Sequence, residues 1–166
     1  MCCFEAKINV SNFIIKLKQS IIFFFDRFYC YKDKKTYILS EKQVNNIFQE
    51  IKIHRYNRFY FLDTYSWAIP NKDTILKLVE FAKGKQILEI GSGLGLWSAL
   101  LRFYGANIIA TDKYIPEKNP YFDREKIYLP YIDIMYMSVR EALEKYKTDI
   151  LFLCWPPYDD SMAEYI

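Results

Sequence analysis

The sequence contains little glycine and almost no histidine. Only five of its 166 residues are glycine, the single histidine is His54, and the four cysteines show no C-x-x-C spacing. Zinc sites need several cysteine or histidine ligands at short spacings, so this composition argues against a zinc protein. Charged residues interrupt the apolar stretch at positions 14–30, which argues against a transmembrane segment or a secretory signal. We therefore expect an intracellular, cytoplasmic protein with reduced thiols.

The net charge of +3 is unevenly distributed along the chain. The first sixty residues carry 11 Lys and Arg against 5 Asp and Glu, whereas the remainder carries 12 against 15. A basic, aromatic-rich segment can follow a nucleic-acid backbone, because cations displace counterions and aromatic rings stack on bases. The ordinary alternative is a solvated basic face. Nucleic acid is one candidate partner, and a protein side chain or small molecule is equally compatible.

Three amphipathic helices are predicted before the glycine-rich region. Apolar residues recur every three or four positions over Ser11–Tyr29, and Ser40 begins a second helix with capping-box spacing to Gln43. A third helix begins after Asn71 and ends before Gly84. The apolar residues of this third helix are predicted to face the core: Ile75, Leu76, Leu78, Val79 and Phe81.

The clearest pattern in the chain is KQILEIGSGLGLWSALLRFYGANIIATD, residues 85–112. It predicts a strand over Gln86–Ile90, a helix over Leu96–Tyr104 and a second strand over Asn107–Thr111. A strand, a crossover helix and a second strand form a βαβ unit. This unit indicates an α/β fold with a doubly wound, mostly parallel sheet.

The loop inside this unit contains Gly91, Gly93 and Gly95, three of the five glycines. Glycine adopts backbone angles closed to other residues and lets a ligand approach the main chain. The helix that follows points unpaired N–H groups at the loop. Glu89 precedes the loop, and Asp112 ends the second strand, where an acid can accept hydrogen bonds from both ribose hydroxyls. The pattern predicts a nucleotide-like ligand; the alternative is a tight turn without a ligand.

The spacing Glu-Ile-Gly-Ser-Gly-Leu-Gly resembles the first motif of class I S-adenosylmethionine-dependent methyltransferases. A dinucleotide-binding loop would have a third glycine at position 96, where this chain has Leu96. The resemblance implies a Rossmann-like fold and S-adenosylmethionine as cofactor, with the acid before the glycines near its methionine end. It assigns the cofactor to one set of residues: Glu89, Gly91, Ser92, Gly93, Gly95 and Asp112.

The stretch DILFLCWPPYDD, residues 149–160, predicts a fourth strand over Asp149–Cys154, after a short helix capped by Ser138. The prolines cannot continue a central strand and fix a rigid exit from it. WPPY resembles the NPPY motif of methyltransferases that act on amino groups. The resemblance implies an acceptor site formed by Trp155, Pro156, Pro157 and Tyr158.

Trp155 departs from that motif, because the family has Asn or Asp at this position. Its indole has one N–H donor and no acceptor, so it cannot accept a proton from an amine. Three alternatives follow. The carbonyl groups of Trp155 and Pro156 could hold the amine, the acceptor could be another nucleophile, or the site could be inactive.

The combination of YSWAIPN, LEIGSGLGLWSALL and LFLCWPPYD resembles uncharacterised methyltransferase-like proteins that share a WPPY motif. It implies that Tyr65, Ser66 and Trp67 help to close the cofactor pocket. Asp133 or Ile134, after a weak strand, would flank the adenine. The alternatives are ordinary aromatic packing for Tyr65 and Trp67 and a surface loop around Asp133.

The predicted elements reach only a fourth strand, whereas this family normally has seven. We therefore expect an accessory helical segment over residues 1–58 and a partial Rossmann-like domain over residues 59–166, truncated after the fourth strand. Its open sheet edge could be covered by a partner chain, by the N-terminal helices or by nothing. The leading hypothesis is an S-adenosylmethionine-dependent methyltransferase with an unidentified acceptor. The alternative is an inactive methyltransferase-fold relic or interaction module that at most binds the cofactor.

Overall fold

The computed structural model of the chain describes residues 38–54, 65–157 and 162. The predicted helix over Ser11–Tyr29, the boundary near residue 58 and the site residue Tyr158 lie outside the described residues. All described residues belong to one unit of the fold.

Parallel strands form the centre of this unit. The described sheet has four strands in the order β3-β2-β1-β4, and every neighbouring pair is parallel. Glu89 in the central strand pairs with Ala110 on one side and Phe152 on the other. The α/β Rossmann-like fold is thereby confirmed. The strands are β1 (Gln86–Ile90), β2 (Asn107–Asp112), β3 (Ile134–Tyr136) and β4 (Ile150–Leu153).

Helices cover both faces of the sheet. Side chains alternate along a strand, so Leu88 and Ile90 face one side and Glu89 faces the other. Leu88 and Ile90 pack against Ala142, whereas Glu89 accepts a hydrogen bond from Ser98. The helices are α1 (Glu41–His54), α2 (Lys72–Ala82), α3 (Leu96–Phe103) and α4 (Val139–Lys145), with a 3₁₀ turn at Pro116–Lys118.

The predicted helix N-caps are confirmed. The Asn71 side chain accepts a hydrogen bond from the Thr74 N–H at 2.9 Å at the start of α2. Ser138 and Glu141 form a reciprocal capping box at the start of α4. These side chains accept hydrogen bonds from N–H groups that the first turn of a helix leaves unpaired. The sequence therefore specifies where these helices begin.

The predicted inward face of α2 is wrong at two positions. Ile75 and Ala82 are buried, but Leu76 is 42% exposed and Phe81 is 70% exposed. At 100° per residue, Leu76 and Phe81 each lie more than 90° around the helix from Ile75, whereas Ala82 lies almost above it. The prediction chose the larger apolar residues and overlooked Ala82, whose small side chain lies on the buried face of the helix.

Candidate functional site

The carboxyl ends of β1, β2 and β4 meet at one edge of the sheet. The chain runs from β1 outward to β2 and β3, and then returns to the other side of β1 with β4. In open parallel sheets, ligands bind at the point where the strand order reverses. The glycine loop after β1 and the residues after β4 both lie at this point.

Two adjoining pockets occupy this edge. The deep pocket has a volume of about 70 Å³ and reaches Glu89, Ser92 and Cys154. The wide cleft has a volume of about 420 Å³ and is lined by Asp112 and the diproline, among others. Both pockets share five lining residues: Trp67, Gly91, Gly93, Phe122 and Trp155.

The three loop glycines have positive φ angles but different surroundings. A Cβ at Gly95 would lie 2.5 Å from Ile132, so this glycine permits close packing within the protein. A Cβ at Gly93 would meet only Phe122 at 4.0 Å, and one at Gly91 would lie 3.3 Å from Met162. The main chain at Gly91 and Gly93 faces the two pockets, whereas Gly95 lines neither.

Asp112 connects the end of β2 to the glycine loop. Its Oδ2 accepts a hydrogen bond from the Gly93 N–H at 2.8 Å, and its Oδ1 accepts one from the Tyr114 N–H at 2.9 Å. A carboxylate offers about four lone-pair sites, so a ribose can share this group with the loop. Asp112 therefore shapes the loop and also lines the wide cleft.

Glu89 places a carboxyl group at the bottom of the deep pocket. It is only 2% exposed, and the Ser98 hydroxyl donates a hydrogen bond to its Oε2. Burial raises the pKa of Glu89 to about 7; the bond from Ser98 opposes this shift and the charge of Asp112 adds to it. Burial and the charge of Glu89 also raise the pKa of the neighbouring Cys154 thiol to about 11, so this thiol is neutral at physiological pH.

The walls of the deep pocket are largely aromatic. None of the described residues that line it is Lys, Arg or His. Aromatic faces attract organic cations, and a buried carboxylate without a basic partner does the same. The pocket is therefore complementary to a small cationic group. The described aromatic lining residues are Tyr65, Trp67, Trp97, Phe122, Tyr128 and Trp155.

Ser92 leaves a hydrogen-bonding group unused in the deep pocket. Within the part of the chain that the structure describes, its Oγ is the one buried side-chain polar atom without a hydrogen-bond partner. An unsatisfied buried polar group costs on the order of 1–3 kcal/mol. A ligand that hydrogen-bonds to this hydroxyl would recover that energy. This hydroxyl, the main chain at Gly93 and the buried carboxyl of Glu89 all line the deep pocket.

The segment before α2 is held against the pocket by aromatic contacts. The Trp97 indole donates its Nε1–H to the Ala68 carbonyl at 3.0 Å, and Tyr65 stacks with Tyr131 at 6.4 Å between ring centroids. Tyr65 and Trp67 both line the deep pocket. The structure thus brings these two predicted residues to the site, and it also gives Tyr65 a role in packing.

Two of the predicted site residues that the structure describes line neither pocket: Gly95 and Asp133. Asp133 is exposed and lines neither pocket; its charge acts on Arg102 on α3. Trp155, Pro156 and Pro157 line the wide cleft.

Several lining residues were missed by the sequence analysis. Tyr114, Asn119, Tyr121 and Phe122 line the wide cleft, and Met162 closes it over Gly91. The segment between β2 and β3 has no helical or strand periodicity, so its pattern assigns it no place in the fold. The one feature of this segment that could have indicated a place at the site is the position of Tyr114, two residues after Asp112 at the end of β2.

Comparison of the chain with protein-family models, with curated proteins and with solved structures finds no match. No helix in the described part of the chain is long and apolar enough to cross a bilayer. Residues 38–54, 65–157 and 162 contain no group of three His, Cys, Asp or Glu side chains that could hold a metal ion. The fold and the pockets at the reversal of strand order show a Rossmann-like α/β protein with a candidate ligand site.

Proposed function

We propose that the chain binds S-adenosylmethionine across the deep pocket and the wide cleft, as an S-adenosylmethionine-dependent methyltransferase with an unidentified acceptor. The observation that carries this proposal is the character of the deep pocket: aromatic walls, the buried carboxyl of Glu89 and no basic lining residue among those described. A dinucleotide would bring a pyrophosphate to this loop. The ammonium and sulfonium groups of S-adenosylmethionine suit the carboxyl better.

The described residues divide the cofactor between the two pockets. Glu89 and the Ser92 hydroxyl would hold the methionine end, Asp112 the ribose, and the main chain at Gly91 and Gly93 would lie beneath them. When bound, the cofactor supplies an electrophilic methyl group on a sulfonium.

The chain itself contributes position and exclusion of water. Methyl transfer is an in-line displacement, whose rate depends chiefly on how well donor and acceptor are aligned. Trp155 and the diproline would hold the acceptor beside the deep pocket, and Trp67 would shield it from water. The raised pKa keeps Cys154 protonated, and a neutral thiol is a poor nucleophile, so Cys154 does not compete with the acceptor.

A second candidate function is cofactor binding without turnover. It is favoured by Trp155, which stands where the related motif has a polar residue and offers no side-chain acceptor. The two functions share the cofactor site and differ in methyl transfer. Incubation with radiolabelled S-adenosylmethionine and candidate acceptors separates them.

The proposal is tested by calorimetric titration with S-adenosylhomocysteine, with NAD⁺ as the competing ligand class. We expect micromolar binding of the first and none of the second. The matched variants are Gly93→Ala and Gly84→Ala, because both glycines have positive φ and space for a Cβ, but only Gly93 lines the pockets. Loss of binding confined to Gly93→Ala supports the site. Absence of binding by the folded wild-type chain refutes the proposal.

A further inference from the structure

Trp155 has a backbone conformation that its sequence does not favour. Its φ is 59°; the other non-glycine residue with positive φ in the described chain is Lys83, which forms the C-cap of α2. A left-handed conformation is unfavourable for a non-glycine residue, because its Cβ comes too close to the following carbonyl oxygen. The proline at 156 also favours extended backbone in the residue before it. Glycine would adopt this conformation without that cost, so Trp at position 155 is unfavourable for the backbone.

The indole of Trp155 lies where the two pockets join. Trp155 and Trp67 both line the deep pocket and the wide cleft, and they are 44% and 43% exposed. Trp97, in contrast, is 8% exposed. Two half-exposed indoles forgo the stabilisation that burial would provide. Apolar aromatic surface left at the mouth of a cleft marks a place where a ligand contributes the missing contact.

The main chain next to each of these tryptophans is constrained. The hydrogen bond from Trp97 to the Ala68 carbonyl holds the residue after Trp67. Two prolines follow Trp155, and each has a restricted φ. Less main chain must therefore be ordered when a ligand stacks on these side chains.

We propose that Trp155, together with Trp67, binds an uncharged planar aromatic ring of the methyl acceptor, with the chemistry of a nucleobase. The proposal rests on the proposed function, since it places this ring beside the donor pocket. Aromatic side chains stack on every base, because each base has a π face. A neutral ring is favoured because the cofactor's own cation already occupies the neighbourhood of Glu89.

The test follows the three indole N–H signals by ¹H–¹⁵N NMR, one for each tryptophan in the chain. S-adenosylhomocysteine is kept at saturation while guanosine, uridine, dihydrouridine or single-stranded hexauridylate is added. Dihydrouridine has the same ribose as uridine but a non-planar ring. We expect guanosine and uridine to shift the Trp67 and Trp155 signals saturably, with dihydrouridine at least fivefold weaker. The buried Trp97 signal serves as the internal control.

The oligonucleotide distinguishes two sources of the ring. Hexauridylate that binds at least tenfold more tightly than uridine indicates a base within a single strand, and equal affinity indicates a free small molecule. Equal binding of uridine and dihydrouridine, or no saturable shift with any planar probe, overturns the proposal. Failure of S-adenosylhomocysteine to bind in a separate titration would instead refute the proposed function.

Three variants separate stacking from folding. Trp155→Gly suits the left-handed backbone, so we expect its melting temperature to equal or exceed that of the wild type and its affinity for guanosine to fall at least fivefold. Trp155→Phe keeps a ring and retains most of the affinity. Phe81→Ala removes an exposed ring that lines neither pocket and should change nothing. Unchanged guanosine affinity in Trp155→Gly would overturn the proposal.

Discussion

Burial of Glu89 favours its neutral carboxyl group, whereas binding of the proposed cationic ligand requires the ionised carboxylate. Its carboxyl is buried beside Ser98 without a basic partner among the described lining residues, and burial raises its pKa to about 7. Ionisation of such a group destabilises the folded chain. A glutamine would fill nearly the same space without this cost. The proposed cationic ligand would give this carboxyl a role that packing does not give it.

The stability of the protein should fall as Glu89 ionises. Its pKa rises from 4.5 in the unfolded chain to about 7 in the folded chain, so the folded state binds more protons between these values. Its contribution is fully present below about pH 4.5 and is lost as the pH rises to about 7, because each pH step of one in this window removes roughly 1.4 kcal/mol. We expect Glu89→Gln to lack this loss, and therefore to be more stable than wild type at pH 8 by a few kcal/mol.

Urea unfolding of both proteins at pH 5 and pH 8 measures this difference. The other carboxyl groups titrate in both proteins, so their effect on the free energy of unfolding cancels when wild type and Glu89→Gln are compared. Parallel pH profiles in the two proteins would contradict the buried state of Glu89.

Ligand binding should respond to pH in the opposite direction. A cationic ligand group needs the ionised carboxylate, whose population rises about tenfold between pH 6 and pH 8 for a pKa near 7. We expect the affinity for S-adenosylhomocysteine to increase by up to that factor over this range. Calorimetric titrations should show a flat, weaker profile for Glu89→Gln. A wild-type affinity that falls with rising pH would exclude Glu89 as the partner of the ammonium group.

At the scale of elements, the glycine loop combines two different requirements. Gly91 and Gly93 leave main chain exposed to the pockets, whereas Gly95 allows α3 to begin close to the residues before β3. The sequence spacing predicts a loop that requires glycine at three positions, but it gives the same explanation, access of a ligand to the main chain, for all three. Ile132 lies 37 residues after Gly95, and only the folded sheet brings them together.

Substitution of Gly95 should therefore affect folding more than substitution of a glycine with open space. Gly95→Ala meets both a positive φ and the Ile132 side chain at 2.5 Å, while Gly84→Ala meets only the positive φ. We expect a destabilisation of about 2–4 kcal/mol for the first and about 1 kcal/mol for the second. Denaturant unfolding measures both values. Equal effects would mean that close packing does not constrain Gly95.

At the scale of the whole molecule, ligand binding should stabilise the sheet edge as a unit. The two pockets draw residues from the segment before α2, from three strand ends and from the segment before β3. A ligand that binds only the folded state raises the free energy of unfolding by about 2.7 kcal/mol at a concentration of 100 times its dissociation constant. We expect S-adenosylhomocysteine to raise the melting temperature in proportion to the logarithm of its concentration. A melting temperature independent of the ligand would contradict a site formed by the folded chain.

Local sequence patterns determined the elements and part of the site. The βαβ unit, the N-caps at Asn71 and Ser138 and the positions of Glu89 and Asp112 follow from short-range rules, because periodicity, capping and strand ends are properties of neighbouring residues. Parallel strands then bring their carboxyl ends to one edge, which makes the site predictable in outline.

Tertiary structure alone decided which side chains complete the site and what each one does. The segment that supplies Tyr114, Tyr121 and Phe122 has no periodic pattern, so only the folded chain brings it to the wide cleft. The raised pKa of Glu89 also depends on burial in the folded chain. Packing sets how deeply a residue is buried and how close it lies to residues far away in the sequence. Local sequence patterns do not specify these distances.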